Sequence, residues 1–112
     1  MNTQDLIKIE DDYFINTFTR QPVVLDHGEG VKVWDIDGNE YLDMFAGIAV
    51  NALGHNHPAL VKAIQDQAEK LIHISSIYYN EPALIYAKKL IDKTSFDRIF
   101  YANSGAEANE GA

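Results

Sequence analysis

Small and polar residues near the end of the chain have the types and spacing of an anion-binding loop. The string Asn103-Ser-Gly-Ala-Glu107 follows an apolar stretch, residues 99–102, and precedes residues that favour a helix. A loop that starts a helix presents free backbone N–H groups at the positive end of the helix dipole. Gly105 and Ala106 add little bulk, so a phosphate group could contact their amides. This loop is therefore the best candidate site in the sequence.

A structural role is the alternative interpretation of the same loop. Ser104 either offers a hydroxyl donor to the anion or acts as the N-cap of the helix that follows. In the second case Glu107, three residues later, completes the pattern of a capping box. Many loops between a strand and a helix have this composition, so the residues alone leave both roles open.

Two other motifs suggest metal ligands, and in both the residues favour local structure. Asp35-Ile-Asp-Gly-Asn39 has the acids of a calcium loop. Its glycine comes at the fourth position instead of the sixth and strands flank it, so we expect a hairpin turn. His55 and His57 lack a third ligand at metal-binding spacing, which favours a helix start at His57-Pro58. We therefore expect no metal site.

The apolar periodicity places these motifs on a succession of helices, strands and turns. Helices are predicted over residues 6–14, 57–73 and 81–94, and strands over residues 23–25, 31–35, 41–45 and 99–102. Turns are predicted at Gly28-Glu-Gly30 and Asp37-Gly-Asn39. The small, apolar segment 46–54 has no clean period and predicts a buried, close-packed loop. The final alternation of helix, strand and helix is typical of an α/β fold with a parallel sheet.

Composition and charge restrict the classes of partner. The 112 residues are 46% hydrophobic and 23% charged, as in an ordinary globular domain. A net charge of −8 disfavours nucleic acid and anionic membranes as partners. No apolar run approaches the roughly 20 residues of a membrane span, and the N-terminus lacks the pattern of a secretory signal. The absence of cysteine excludes disulfides and fits a reducing cytosol.

Six strings of residues, taken together and in order, resemble a known enzyme family. They are Val33-Trp-Asp-Ile-Asp-Gly38, Tyr41-Leu-Asp43, Gly47-Ile-Ala-Val50, Leu53-Gly-His-Asn-His-Pro58, Tyr78-Tyr-Asn80 and Asn103-Ser-Gly-Ala-Glu-Ala-Asn109. The resemblance extends over residues 14–112, which is nearly the whole chain. The sequence is similar to the N-terminal part of the class III, ornithine-type, pyridoxal-phosphate aminotransferases. Within that family its pattern is most similar to the members that act on acetylornithine.

The resemblance implies a fold-type I transferase, an α/β architecture that binds pyridoxal 5'-phosphate and forms a homodimer. Residues 1–73 are then expected to contribute a helix, a β-hairpin and helices to a small domain. Residues 74–112 are expected to begin the large parallel-sheet domain. The family also implies that the lysine that bonds to the cofactor lies beyond residue 112. No catalytic residue is therefore expected here, and the chain is expected to be a fragment that ends within the helix after the phosphate loop.

The family pattern implies that the tail loop holds the phosphate of the cofactor. Carried over to this sequence, Gly105 and Ala106 give backbone amides to the phosphate, and Ser104 is a weaker addition. Many relatives have Thr where this chain has Ala106. That difference removes a hydroxyl donor, so contact at this position is expected through the backbone.

The same pattern implies roles for Ile48, Tyr78 and Tyr79 in binding the substrate. Ile48 stands where ornithine-specific relatives tend to have Tyr, and an apolar side chain suits a donor whose α-amine is acylated. Tyr78 or Tyr79 is expected to reach the substrate across the dimer interface. The implied reaction moves an amino group between N-acetylornithine and 2-oxoglutarate in arginine biosynthesis.

Two alternatives to this reaction remain open from the sequence. One is the same family acting on succinylornithine, ornithine or another ω-amine donor. The other is a non-catalytic remnant, in which the isolated 112 residues bind an anion or a partner protein.

Overall fold

The computed structural model describes all of residues 1–112 and divides into two compact units, Met1–Lys70 and Leu71–Ala112. The first unit contains a three-stranded antiparallel sheet. The strands are β1 (Leu25–Glu29), β2 (Lys32–Asp35) and β3 (Glu40–Leu42), with β2 in the centre. Val33 on β2 is the buried apolar residue of this sheet. The strand predicted over residues 31–35 is therefore confirmed as β2, although the second buried residue on it is the polar Asp35.

The first and third strands differ from their predicted limits. β1 continues through Glu29, so only the last residue of the turn predicted at Gly28-Glu-Gly30 lies at the chain reversal. That residue, Gly30, has φ +58°, a conformation that glycine accepts because it has no Cβ. Of the strand predicted at residues 23–25, only Leu25 belongs to β1. β3 is shorter than the predicted 41–45, because the chain turns away after Leu42.

Both helices of the first unit were predicted, and both are confirmed. They are α1 (Thr3–Tyr13) and α2 (Pro58–Lys70). Asn2 caps α1: its side chain accepts a hydrogen bond from Asp5 N at 2.9 Å, and the Asp5 carboxylate accepts one from Asn2 N at 3.1 Å. Pro58 occupies the first position of α2, where a missing N–H has no consequence.

The second unit contains α3 (Glu81–Ile91) and α4 (Gly105–Gly111). Asn80 caps α3 by accepting a hydrogen bond from Ala83 N at 3.3 Å. The strand predicted over residues 99–102 is wrong, since this segment forms no strand and Phe100 is 79% exposed. An extended segment becomes a strand only when a neighbouring strand pairs with its N–H and C=O groups. The second unit has no other strand to do so.

The elements together belong to the predicted α/β class, although the sheet they form is antiparallel. The assignment of residues 1–73 to a small domain and of residues 74–112 to a large one stays a prediction. None of the helices combines the length and the apolar character needed to cross a membrane.

Candidate functional site

The start of α4 is a capped helix N-terminus. Ser104 is extended, with φ −146° and ψ 163°, and its Oγ accepts a hydrogen bond from Glu107 N at 3.2 Å. The Ser104 hydroxyl in turn donates to Glu107 Oε2, also at 3.2 Å. The predicted N-cap is therefore confirmed. The capping box is not, because the Glu107 carboxylate bonds the hydroxyl instead of the Ser104 backbone N–H.

Gly105 and Ala106 leave two backbone amides open at this N-terminus. Neither N–H donates a hydrogen bond within the chain, and both residues are exposed. A Cβ added to Gly105 would meet no heavy atom within 4 Å. Two free donors at the positive end of a helix suit an oxygen-rich anion such as a phosphate group. The residues therefore fit the phosphate of a cofactor. The Glu107 carboxylate, however, is a nearby negative charge and already accepts the hydrogen bond of the Ser104 hydroxyl.

The segment Ala46–Ala49 forms a left-handed turn. The φ angles are +48° at Ala46, +62° at Gly47, +65° at Ile48 and +60° at Ala49. Backbone hydrogen bonds close the turn, among them the bond from Val50 N to Ala46 O at 3.0 Å. Left-handed backbone costs roughly 1–2 kcal/mol for each residue other than glycine, and a β-branched side chain rarely adopts it. Such strain concentrates at functional sites, which makes this turn a candidate.

The turn exposes the side chain that the resemblance assigns to the substrate. Ile48 is 76% exposed, and its neighbours Met44 and Val50 are also exposed. The prediction of a buried segment at residues 46–54 is therefore wrong. The turn satisfies its backbone hydrogen bonds internally, but no other element of the first unit packs over its apolar side chains. The exposed side chains form an apolar surface.

Asp43 fixes the entrance of this turn. Its Oδ1 accepts hydrogen bonds from Ala46 N at 2.8 Å and from Phe45 N at 3.1 Å, and its Oδ2 lies 2.7 Å from His55 Nε2. The bond from the Ala46 amide, followed by the bond from His55, lowers the pKa of the Asp43 carboxyl. Sequence reasoning missed this pair, although each residue stands in a string that carries the family resemblance, because those strings do not show which of their residues contact one another.

Tyr78 and Tyr79 lie in the loop that precedes α3, in the second unit. Both are exposed, Tyr79 to 91%. They contribute to a groove of about 370 Å³ whose lining also includes Asn80 and Tyr101. Their role in binding a substrate stays a prediction.

The structure groups the predicted site residues in three places. Ser104, Gly105 and Ala106 meet at one helix end, and Tyr78 adjoins Tyr79 in one loop, both within the second unit. Ile48 belongs to the first unit.

Asp35 begins the string for which sequence reasoning expected a hairpin turn and no calcium site. It is 6% exposed and accepts hydrogen bonds from Asn39 Nδ2 at 2.9 Å, Asn39 N at 2.8 Å, Tyr41 Oη at 2.7 Å and Asp37 N at 3.0 Å. These bonds, above all the one from the Asn39 side chain, lower the pKa of Asp35 to about 2, and the same contact raises the pKa of Tyr41. All the donors belong to one hairpin, so the predicted turn is confirmed. The sequence signal for this turn is an aspartate, Asp35, two residues before the string Asp37-Gly-Asn39.

Known proteins match most or all of this chain. A model of the family described as "Aminotransferase class-III" matches residues 14–112. The acetylornithine aminotransferase of Methanothermobacter thermautotrophicus is 53% identical over 112 residues, which cover 100% of this chain and 29% of that relative. The succinylornithine transaminase of Salmonella typhimurium is 52% identical over 102 residues, which cover 91% of this chain and 25% of that relative.

A crystal structure shares the fold of the chain. The acetylornithine aminotransferase from Elizabethkingia anophelis superposes with a TM-score of 0.94 at 38% identity, over 99% of this chain and 29% of that one. The predicted fold class is therefore confirmed. The chain spans less than a third of the length of these relatives.

Proposed function

The chain belongs to the class-III aminotransferase family, and on that premise we propose that it forms part of a pyridoxal-phosphate-dependent enzyme that moves an amino group between N-acetylornithine and 2-oxoglutarate. The observation that carries the proposal is the match of the whole chain, at 53% identity, to a relative named acetylornithine aminotransferase. The open amides at the start of α4 and the exposed apolar turn at Ile48 support it independently. In this proposal the enzyme is a cytoplasmic homodimer that acts in arginine biosynthesis, as the resemblance implies.

The phosphate of the cofactor is assigned to the N-terminus of α4. Gly105 and Ala106 donate their backbone N–H groups, and the helix dipole, equivalent to roughly half a positive charge, adds attraction. The Ser104 hydroxyl must release the Glu107 carboxylate before it can donate to the phosphate, so Ser104 contributes less. Ala106 has no hydroxyl and acts through its backbone alone. When bound, pyridoxal phosphate supplies the electron sink that amino-group transfer requires.

Ile48, Tyr78 and Tyr79 are assigned to recognition of the acylated donor. Acylation removes the positive charge of an α-amine, and an uncharged amide is much less costly to place against an apolar side chain than an ammonium ion. Ile48 offers that apolar surface. Tyr78 and Tyr79 are exposed aromatic side chains, which the proposed homodimer would bring to the substrate of the second copy.

A succinylated donor is the second candidate. The relative named succinylornithine transaminase is 52% identical over 102 residues, which favours this substrate almost as strongly. A succinyl group ends in a carboxylate, which needs a cationic partner when it is removed from water. Residues 44–50, which include the turn, contain no Lys, Arg or His. We therefore place the acetylated donor first.

The test is a substrate comparison with the intact enzyme that contains this chain. Enzyme loaded with pyridoxal phosphate is mixed with 2-oxoglutarate and with N-acetylornithine, N-succinylornithine or ornithine, and the formation of glutamate is measured. We expect kcat/KM to be highest for N-acetylornithine. A higher value for either other donor would overturn the substrate assignment, and the absence of glutamate with every donor would overturn the activity.

A further inference from the structure

His55 is held against the sheet of the first unit by both its backbone and its ring. Its N–H donates to Gly30 O at 2.8 Å, and its C=O accepts from Gly30 N at 2.9 Å. Gly54 permits this close approach, since a Cβ there would lie 2.6 Å from Gly30 O. A Cβ at Gly28 would also lie 2.6 Å from His55 Cγ, so the imidazole rests directly on β1. The orientation of His55 is therefore fixed from two sides.

Asp43 connects this fixed imidazole to the left-handed turn. The Asp43 backbone N–H donates to Val31 O at 2.8 Å, beside the start of β2. Its Oδ2 bonds His55 Nε2, and its Oδ1 bonds the amides at the entrance of the turn. The side chains of Asp43 and His55 are only 18% and 32% exposed, which limits competition from water. A continuous set of hydrogen bonds thus runs from the sheet to the turn that carries Ile48.

We propose that Asp43 and His55 are positioning residues that set selectivity for the acylated donor by holding the Ala46–Ala49 turn in its left-handed form. The proposal rests on the function proposed above. Three of the four residues in the turn are not glycine, and without an external constraint they favour negative φ. Asp43 is that constraint, and His55 holds its carboxylate in place. Release of the turn moves Ile48 and removes the apolar surface from the acyl group.

Substitutions at both residues distinguish the effect of the hydrogen bond from the effect of side-chain size. His55→Leu keeps an apolar side chain but cannot donate to Asp43, whereas His55→Gln has an amide N–H that can replace Nε2–H. Asp43→Asn keeps an acceptor for the turn amides and loses the charge. Asp66→Asn is the matched control, because Asp66 is exposed on α2 and pairs only with Lys62 one helical turn earlier.

The first measurement is a selectivity ratio in the intact enzyme: kcat/KM for N-acetylornithine divided by kcat/KM for ornithine. We expect His55→Leu to lower this ratio about tenfold, the lower end of what an apolar pocket discriminates. The loss should lie mainly in the KM for N-acetylornithine. His55→Gln should restore most of the ratio, Asp43→Asn should lower it in part, and Asp66→Asn should leave it unchanged. An unchanged ratio in His55→Leu, or equal losses with both donors, would overturn the proposal.

The second measurement is backbone hydrogen exchange, which needs no substrate. In the intact enzyme, His55→Leu and Asp43→Asn should speed the exchange of amides in residues 45–51, whereas Asp66→Asn should not. Unaltered exchange in both variants would show that the pair does not hold the turn. If the wild-type enzyme prefers free ornithine, the proposed function fails by itself, and the exchange of residues 45–51 still decides the role of Asp43 and His55.

Discussion

One carboxylate, Asp35, supplies the acceptors for the turn between β2 and β3. Its two oxygens accept hydrogen bonds from Asn39, Tyr41 and the amide of Asp37. Hydrogen bonds to an ionised acceptor are stronger than those to a neutral one. The charge on Asp35 therefore helps to stabilise the hairpin. The same hydrogen bonds favour the ionised carboxylate, which is why the pKa of Asp35 is held at about 2.

We predict that Asp35 stabilises the intact protein above about pH 4 and that this stabilisation is lost as the pH falls towards 2. The sign follows because the unfolded carboxyl, with its ordinary pKa of 3.8, binds a proton before the folded one does. Asp35→Asn should lower Tm near neutral pH, and its difference from wild type should shrink in acid. Thermal unfolding at a series of pH values measures this, with Asp66→Asn as control. A difference that stays constant with pH would contradict the prediction.

At Ala106 the chain lacks the hydroxyl that many relatives have, according to the resemblance. Ala106→Thr should tighten the binding of pyridoxal phosphate to the intact enzyme about fivefold, since one net hydrogen bond contributes about 1 kcal/mol. Titration of the cofactor-free enzyme with pyridoxal phosphate measures the dissociation constant. Ala108→Thr is the control, because its N–H already bonds Ser104 O within the helix. Equal effects of both substitutions would show that the added hydroxyl does not reach the phosphate.

Among the elements, the Ala46–Ala49 turn is the one that opposes the preferences of its residues. Ala49→Gly should raise the free energy of unfolding by about 1 kcal/mol, because glycine accepts positive φ without a Cβ clash. The greater freedom of glycine in the unfolded chain offsets part of this gain. Ala63→Gly, in the right-handed helix α2, should lower the same quantity by about 1 kcal/mol. Denaturant unfolding of the intact enzyme measures both, and a loss of stability in Ala49→Gly would argue against strain in the turn.

Elements set by nearby residues could be predicted from the sequence, and those set by distant contacts could not. The helices α1, α2 and α3 have caps or prolines that act within a few residues, and the hairpin turn has Gly38. The left-handed turn depends on Asp43 and on His55, which comes after the turn in the chain, and its own residues favour other conformations. The segment 99–102 has the apolar pattern of a strand, but pairing depends on a second strand that its unit lacks.

The candidate site likewise contains one part that nearby residues determine and one part that depends on distant contacts. The N-cap at Ser104 and the small residues after it form one contiguous string, so their geometry at a helix start could be predicted. The contact between Asp43 and His55 forms only when the chain folds back onto the sheet. The two residues stand in separate strings of the resemblance, and nothing in either string shows that they meet. The sequence therefore predicted where a phosphate fits but not what positions Ile48.

Across the whole molecule, few apolar side chains are covered. Val33 is the buried hydrophobic residue, and none of the helices contains a buried residue. Phe100, Ile72 and Ile15 are each more than three-quarters exposed. A folded domain normally removes most of such surface from water, and this burial is the main force that favours the folded state. The apolar faces of both units therefore require further protein surface to cover them.

We predict that residues 1–112, expressed alone, will unfold gradually and self-associate. The reason is that apolar burial must offset the conformational entropy of ordering the chain, and Val33 by itself offsets little of it. Thermal unfolding followed by circular dichroism, together with light scattering at several concentrations, measures both properties. The intact enzyme is the comparison and should unfold in a sharp transition. A sharp transition of the isolated chain, at the monomer mass of 12.6 kDa, would show instead that these two units need no other surface to fold.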